Sequence, residues 1–295
     1  MGFETPVAFF IFNRPRETER TFKRIAQVEP RTLLLVADGP RGIAETQRCD
    51  DARAVLRRID WPCDVRINFA DHNMGCRRRV SSGLHWVFAQ VEEAIILEDD
   101  CLADESFFPF CAELLARYRH DPRVMSVAGD NFQFGRRRTP HSYYFSIIPH
   151  VWGWATWRRA WRHFDLHMRR WPMLRETPAL RDLLGHDSVA RFYRDTFDKG
   201  ISGEIDTWDI QWAFAHVAHG GLTILPETNL VTNIGFGGDA THTRCANVRE
   251  SNLPAVPMRF PLDHPKAVER CVEADEFTFE NGFKLPLEHP HVRAA

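Results

Sequence analysis

The sequence lacks any long uncharged apolar run, and its charges nearly cancel. No window approaches the roughly 20 apolar residues that a membrane-spanning helix needs. The start, Met1 to Pro6, has no basic region followed by a long apolar segment, so no secretory leader is predicted. The 38 basic and 40 acidic residues give a formal charge of −2, which predicts no general attraction to nucleic acid or to an anionic membrane. These absences predict a cytoplasmic protein with no integral membrane segment and no nucleic-acid partner.

Paired cysteines are missing as well. The seven cysteines, at positions 49, 63, 76, 101, 111, 245 and 271, form no CxxC pair and no zinc-like spacing. An odd number of isolated cysteines is typical of reduced thiols. The chain does have ample apolar material, because 44% of its 295 residues are hydrophobic and 12% are aromatic. This is enough for one large packed domain or two small ones.

Short apolar runs alternate with longer helix-like stretches up to about residue 130. The runs are Val7 to Phe12, Thr32 to Val36, Asp64 to Phe69, Ala94 to Leu97 and Val124 to Ala128. This alternation predicts an α/β domain with a mostly parallel, doubly wound sheet. Helical patterns dominate residues 131–250, and sparse periodicity over residues 251–295 predicts an extended C-terminal tail.

The fourth apolar run leads directly into three carboxylates, Glu98, Asp99 and Asp100. Such a run is typical of a strand buried on both faces, and ligands of parallel sheets bind just past the carboxyl ends of their strands. Three adjacent carboxylates repel one another, so they would gain from a divalent cation, Mg²⁺ or Mn²⁺, that can in turn hold phosphate oxygens. Taken alone, the triplet is better explained as a solvated acidic turn before the next helix.

Polar residues follow the other predicted strands too. These strand-end groups are Asn13-Arg14-Pro15, Asp38-Gly39 and Asn73-Met74-Gly75. Each alone indicates a turn or a helix start, but strand ends of a doubly wound sheet converge on one edge. Together with the acidic triplet they predict a nucleotide site that involves Asn13, Arg14, Asp38 and Asn73. Arg78 and its arginine neighbours would offset pyrophosphate charge there, or else form an exposed helix face.

These motifs resemble those of family 2 type nucleotide-sugar glycosyltransferases of the GT-A fold. The Glu-Asp-Asp form is most similar to the N-acetylglucosaminyltransferase I group and its bacterial relatives, over roughly residues 6–130. The resemblance implies that Asp100 binds Mn²⁺ and that Glu98 and Asp99 contact the ribose and sugar of the donor. It also implies a UDP donor, a nucleotide-sugar-binding half over residues 1–130, an acceptor and catalytic half over 131–250, and a role in bacterial polysaccharide or other glycan biosynthesis.

A second acidic stretch runs from Glu204 to Trp212. The same group carries a Trp-Asp-Asp-Trp element whose first aspartate is the catalytic base, and Trp208-Asp209 matches it before the pattern departs. The resemblance therefore implies Asp209 as the base, with Asp206 as a rival. An inverting sugar transfer does need one carboxylate to take the proton of the acceptor hydroxyl. Alternatively, Asp209 is a first-turn acid that stabilises a helix dipole.

Two further features have both a structural and a functional interpretation. Trp152, Trp154 and Trp157 fall within six residues and are expected mainly in the core, with one of them lining a sugar pocket as a secondary hypothesis. The Gly-rich segment around His242 is typical of a mobile loop. In GT-A enzymes such a loop closes over the donor, so the resemblance implies that His242 could complete the metal shell; the alternative is a solvated histidine.

The sequence predicts a metal-dependent, inverting hexosyl- or N-acetylhexosaminyltransferase that uses a nucleotide-sugar donor and a glycan or other hydroxyl acceptor. One alternative is a sugar-phosphate nucleotidyltransferase, which needs a Gly-rich phosphate loop after the first strand, where this chain has Asn13-Arg14-Pro15. Another is a non-catalytic carbohydrate-binding or scaffold module. The acids at Glu98 to Asp100 and Asp209 argue against that alternative.

Overall fold

The computed structural model describes residues 2–236 and 249–287, and within them the chain forms a large mixed sheet with helices on both faces. The strands are β1 (Val7–Ile11), β2 (Thr32–Ala37), β3 (Asp64–Phe69), β4 (Glu93–Glu98), β5 (Cys101–Ala103), β6 (Val124–Ala128), β7 (Tyr143–Ser146), β8 (Trp154–Trp157), β9 (Leu222–Pro226) and β10 (Val231–Asn233). The helices are α1 (Pro15–Val28), α2 (Ile43–Val55), α3 (Cys76–Gln90), α4 (Phe107–Tyr118), α5 (Arg158–Trp161), α6 (Trp171–Arg175), α7 (Ala179–Leu184), α8 (Asp187–Ser202), α9 (Asp209–His219) and α10 (Val272–Asn281).

The main sheet has the strand order β3-β2-β1-β4-β8-β6-β9-β7. Strands β1 to β4 are parallel, β8 lies antiparallel between β4 and β6, and β7 is an antiparallel edge strand. The predicted α/β class with a mostly parallel sheet is confirmed, since six of the eight strands point the same way. The sheet also continues past residue 130, where the sequence pattern becomes mainly helical. A separate two-stranded sheet pairs β5 with β10.

The core lies on both faces of the sheet, as strand β1 illustrates. Its residues Val7, Phe9 and Ile11 pack into one cluster with α1, α2 and α4. Ala8 and Phe10 point the other way, into a cluster with α3, α5 and α9. Because both faces are covered, β1 is apolar throughout instead of alternating, and its carboxyl end is the part open to a ligand.

The C-terminal half is rich in helices, as expected, and α6 to α9, together with α10, surround an aromatic core that includes Trp171, Phe197 and Phe214. Residues 251–287 differ from the expected extended tail because they contain α10. Asp275 on this helix is 1% exposed and accepts hydrogen bonds from Ser146 and Arg270. A buried carboxylate interrupts the apolar spacing by which a helix is recognised in a sequence, so α10 was not predicted.

None of the helices in residues 2–236 and 249–287 is both long and apolar enough to cross a membrane. The six cysteines within the same ranges are all free thiols.

Candidate active site

A cleft of about 590 Å³ opens at the carboxyl ends of β1, β2 and β4. It is lined by most of the residues that the sequence analysis singled out: Arg14, Asp38, Asn73, Glu98, Asp99, Asp100, Asp206 and Asp209. Asn13 and the exposed Arg78 do not line the cleft, whereas Arg79, the neighbour of Arg78, does. His242 lies outside the described residues. The structure thus brings two acidic stretches, more than 100 residues apart in sequence, to one cavity.

Arg14 is the central cation of the cleft. It precedes α1, and its guanidinium forms ion pairs of 2.8 Å with Asp99 and 2.9 Å with Asp100. The second carboxylate oxygen of Asp99 accepts a hydrogen bond of 3.2 Å from the backbone N–H of Phe12. The parallel register of β1 with β4, in which Phe10 lies opposite Glu98, brings these groups together. Arg14 therefore neutralises part of the triplet from within the protein.

The triplet nevertheless carries more negative charge than Arg14 can balance. Burial, followed by repulsion from Asp100 and Asp99, raises the pKa of Glu98 well above its ordinary value. Burial also raises the pKa of Asp99, although the charge of Arg14 opposes this effect. For Arg14, burial favours the neutral form, but the charges of Asp99 and Asp100 outweigh it and raise its pKa. An additional cation or a proton would relieve the excess negative charge.

Two loops form the β2 side of the cleft. Asp38 accepts hydrogen bonds from the backbone N–H groups of Gly39 and Met74, each at 2.9 Å, and from the Asn73 amide at 3.0 Å. Burial raises the pKa of Asp38, while the N–H groups oppose this effect. A side chain at Gly39 would meet the backbone of His72, since an ideal Cβ there lies 2.5 Å from it. Close approach of the two loops fixes Asp38 and Asn73 as one polar group.

Asn13 supports the wall beside Arg14. Its amide donates a 2.6 Å hydrogen bond to Glu45 on α2, which is also paired with Arg41. The hydrogen bonds from Arg41, followed by that from Asn13, outweigh burial and lower the pKa of Glu45 to about 2. The guanidinium of Arg41 lies 5.3 Å from the centre of the Phe12 ring, at the cleft surface. Asn13 therefore orients neighbouring groups and does not itself line the cleft.

The two rival aspartates of the second acidic stretch differ in their partners. One carboxylate oxygen of Asp206 accepts a 3.2 Å hydrogen bond from the backbone N–H of Arg77, in the first turn of α3. The other oxygen lies close to Gly75, 2.9 Å from the position that a Cβ atom would take there. Asp206 therefore acts as a long-range cap for α3. Asp209 begins α9 and accepts a hydrogen bond from the Thr207 hydroxyl. Asp209 leaves one carboxylate oxygen available to the cleft.

Stacked tryptophans hold Asp209 in place. Trp208, directly before it, is 2% exposed and stacks on Trp154 of β8 with ring centroids 5.5 Å apart. Trp154 and Trp157 are buried, as expected for core residues. Trp152 instead lines the cleft and packs edge-to-face with Phe236, with ring centroids 5.5 Å apart. Of the three tryptophans clustered between residues 152 and 157, Trp152 is thus the one that a sugar in the cleft could contact.

The residues suit a hard divalent cation in chemistry but supply only part of its shell. Carboxylate oxygens are preferred ligands of Mg²⁺ and Mn²⁺, and Glu98 and Asp100 both present them to the cleft. Within residues 2–236 and 249–287, no three His, Cys, Asp or Glu side chains lie close enough to hold an ion together. A cation here would need oxygens from a ligand and from water.

Cys76 is a cleft residue that the sequence analysis missed. Cys76 begins α3 inside the cleft, and burial, followed by the charges of Glu98 and Asp209, raises its pKa. The raised pKa disfavours the thiolate, which is the nucleophilic form of cysteine. Gly235 and Phe236, which belong to the Gly-rich segment around His242, reach the cleft because β10 pairs with β5, directly after the triplet. The spacing of residues in the sequence carries no sign of this pairing.

No protein-family model matches the sequence, and no curated protein matches it. Among solved structures, the chain is similar to 4-diphosphocytidyl-2C-methyl-D-erythritol synthase from Anaerococcus prevotii, with 11% identity, a TM-score of 0.39, and coverage of 75% of this chain and 88% of the other. The chain is also similar to the TarS 1–349 structure from S. aureus, with 10% identity, a TM-score of 0.42, and coverage of 77% of this chain and 59% of the other. For a UDP-glucose pyrophosphorylase complexed with UDP-glucose, the identity is 9% and the TM-score is 0.29, and the match covers 50% of this chain and 64% of the other. All three TM-scores lie below 0.5, so the function of this chain must be inferred from the geometry of its own cleft.

Proposed function

We propose that the protein is a glycosyltransferase that moves a sugar from a nucleoside diphosphate to an acceptor hydroxyl. The observation that carries the proposal is that one cleft holds two separate carboxylate groups, Glu98 to Asp100 after β4 and Asp209 at the start of α9. Sugar transfer needs charged groups at the departing diphosphate and, apart from them, a carboxylate for the proton of the acceptor. The cleft offers both.

The donor half of the proposal concerns the β1, β2 and β4 strand ends. The polar group of Asp38 and Asn73 would contact the base or ribose, with UDP as the nucleotide, and Arg14 would pair with the diphosphate. Asp100 would hold Mn²⁺ or Mg²⁺ with Glu98 beside it, and this cation, when bound, would neutralise the departing diphosphate. His242 as a further ligand stays a prediction.

The acceptor half concerns Asp209. Its available oxygen would take the proton from the acceptor hydroxyl as that oxygen attacks the anomeric carbon from the face opposite the leaving group, which inverts the configuration. The hydrogen bond from Thr207 and the stacking of Trp208 would keep the carboxylate aimed at the cleft. Asp206 is less suited to this role because it caps α3.

The donor half is tested by calorimetric titration of UDP into wild type, Asp100→Ala and Asp50→Ala, each with Mn²⁺ and with EDTA. Asp50 is an exposed acid on α2 outside the cleft and matches the change in charge. We expect UDP binding that requires Mn²⁺, at least about tenfold weaker binding in Asp100→Ala, and wild-type behaviour in Asp50→Ala. Equal affinity in Asp100→Ala, or silence with UDP, GDP, CDP and dTDP alike, would refute the proposal.

The acceptor half is tested by turnover of UDP-sugars in Asp209→Asn and Asp206→Asn. Loss of a general base predicts a fall of about 10²- to 10⁴-fold in Asp209→Asn with UDP affinity retained. For Asp206→Asn we expect turnover and stability near those of wild type, because the amide oxygen of asparagine can still accept the Arg77 N–H and cap α3. The reverse pattern would make Asp206 the base. Pyrophosphate release from UTP and a sugar phosphate would instead indicate a nucleotidyltransferase.

A further inference from the structure

Arg14 occupies two carboxylates of the triplet at once. One guanidinium nitrogen lies 2.8 Å from Asp99 Oδ1 and the other 2.9 Å from Asp100 Oδ2. The side chains of Arg14 and Asp100 are each 14% exposed, and that of Asp99 is 3% exposed. Because the pair is largely enclosed, water and salt screen it much less than they screen a surface ion pair.

The Asp100 oxygen that meets Arg14 is also closed in by the backbone. An ideal Cβ at Gly235 would lie 2.1 Å from Asp100 Oδ2 and 2.7 Å from the Arg14 guanidinium. The chain is held there by the pairing of β5 with β10 and by a 2.9 Å hydrogen bond from Ile234 N–H to the Asp100 carbonyl oxygen. A cation bound to this carboxylate oxygen would therefore stand against the guanidinium, with like charges in contact.

The two carboxylates that Arg14 joins, Asp99 and Asp100, are held by different numbers of other contacts. Asp99 has a second hydrogen bond, from Phe12 N–H, and its carbonyl oxygen accepts one from the Thr21 hydroxyl. Apart from Arg14, the Asp100 carboxylate has, among the residues that the structure describes, only a weak contact, 3.6 Å from the Cys101 thiol. The Asp100 end is therefore the one that can open while Arg14 stays anchored to Asp99.

We propose that Arg14 and a divalent cation exclude one another at Asp100, so that the cation binds well only after a diphosphate has drawn the guanidinium away from this carboxylate. A guanidinium pairs with phosphate in the same two-pronged geometry as with carboxylate, so a diphosphate in the cleft replaces the partner that Arg14 gives up. Cation and nucleotide then favour each other's binding by the same factor. The identity of this diphosphate rests on the proposed function.

The test is a titration of Mn²⁺ without nucleotide, followed by the electron paramagnetic resonance signal of the free ion, on wild type, Arg14→Met and Arg41→Met. Arg41 is the matched control, since it lines the same cleft but pairs with Glu45 instead of the triplet. We expect Mn²⁺ to bind Arg14→Met at least about tenfold more tightly than wild type, and Arg41→Met to equal wild type. Added UDP should tighten Mn²⁺ binding more in wild type than in Arg14→Met, because the diphosphate supplies oxygens to the cation in both proteins but draws a guanidinium away from Asp100 only in wild type.

Equal Mn²⁺ affinity in wild type and Arg14→Met would overturn the exclusion, and so would no binding to either. Should Arg14→Met fail to fold, Arg14→Lys replaces it: an ammonium on a shorter reach bridges the two carboxylates less well, so its Mn²⁺ affinity should still exceed that of wild type. The first titration contains no nucleotide. Failure of UDP to bind would therefore count against the coupling and the proposed function, while the exclusion is judged separately.

Discussion

Acidification should destabilise this protein through one buried imidazole. His216 on α9 is 1% exposed, with Nδ1 3.1 Å from the carbonyl oxygen of Trp212 and Nε2 3.1 Å from the hydroxyl oxygen of Ser126. A carbonyl can only accept, so we assign the proton to Nδ1, and the Ser126 hydroxyl then donates to Nε2. Burial lowers the pKa of His216 to about 4, although the Trp212 carbonyl opposes this effect. The fold therefore requires a neutral ring.

The magnitude follows from the difference between the folded and unfolded pKa values. An imidazole in the unfolded chain has a pKa of about 6.5. Between that pH and about 4, the unfolded chain binds a proton that the folded protein does not. The free energy of unfolding therefore falls as the pH falls through this window, and the effect is complete below it. At about 1.4 kcal/mol per pH unit, the loss from this residue is about 2 kcal/mol between pH 7 and pH 5.

Urea unfolding at pH 7, 6 and 5 measures this effect in wild type, His216→Gln and His120→Gln. Other groups titrate in all three proteins, so the informative quantity is the unfolding free energy of wild type minus that of each variant. For His216→Gln this difference should fall by about 2 kcal/mol from pH 7 to pH 5. His120→Gln, which removes an exposed imidazole, controls for the loss of the side chain. A constant difference for His216→Gln across this range would refute the reasoning.

Two further predictions concern a loop contact and a buried ion pair. Gly39→Ala should lower the unfolding free energy by about 1–3 kcal/mol, because the added methyl forces the Gly39 loop away from His72. Gly42→Ala, with open space at its Cβ position, should lower the urea midpoint less than Gly39→Ala, and equal midpoints for both variants would contradict the contact. Arg270→Met should cost about 3–5 kcal/mol, since it leaves Asp275 charged, buried and without its ion-pair partner. Adding Asp275→Asn should restore part of that stability, and no recovery would mean that the charge is not the cause.

The first half of the fold was predictable because its signals are local. The strand Val124–Ala128 has the same bounds in the sequence prediction and in the structure. The predicted runs that begin at Val7 and Thr32 end within one residue of strands β1 and β2 in the structure. Each is an apolar segment buried on both faces, and such segments stand out from their polar surroundings. Strand β8 was harder to place. Its insertion between β4 and β6 depends on pairing across distant parts of the chain, which no local pattern encodes.

The candidate site shows the same division. Parallel strand ends converge, so the grouping of Arg14, Asp38, Asn73 and the acidic triplet followed from the order of strands and polar residues. The ion pairs of Arg14 with Asp99 and Asp100 could not be predicted in this way, since they depend on the register between β1 and β4 and on side-chain directions. Likewise, the capping of α3 by Asp206 joins residues 129 positions apart. Its effect on the choice between Asp206 and Asp209 could be seen only in three dimensions.

The insertion of β8 has a consequence for the spacing of the two acidic groups. Strand β4, which ends in Glu98, pairs directly with β8, where Trp154 lies opposite Ile96. Trp154 in turn stacks on Trp208, the residue before Asp209. Both acidic groups are therefore attached to one pair of neighbouring strands, β4 and β8. The separation of such strands, about 4.8 Å, is a fixed property of hydrogen-bonded sheets. Changes in the surface loops could alter which molecules enter the cleft, while the attachment of both acidic groups to β4 and β8 would stay the same.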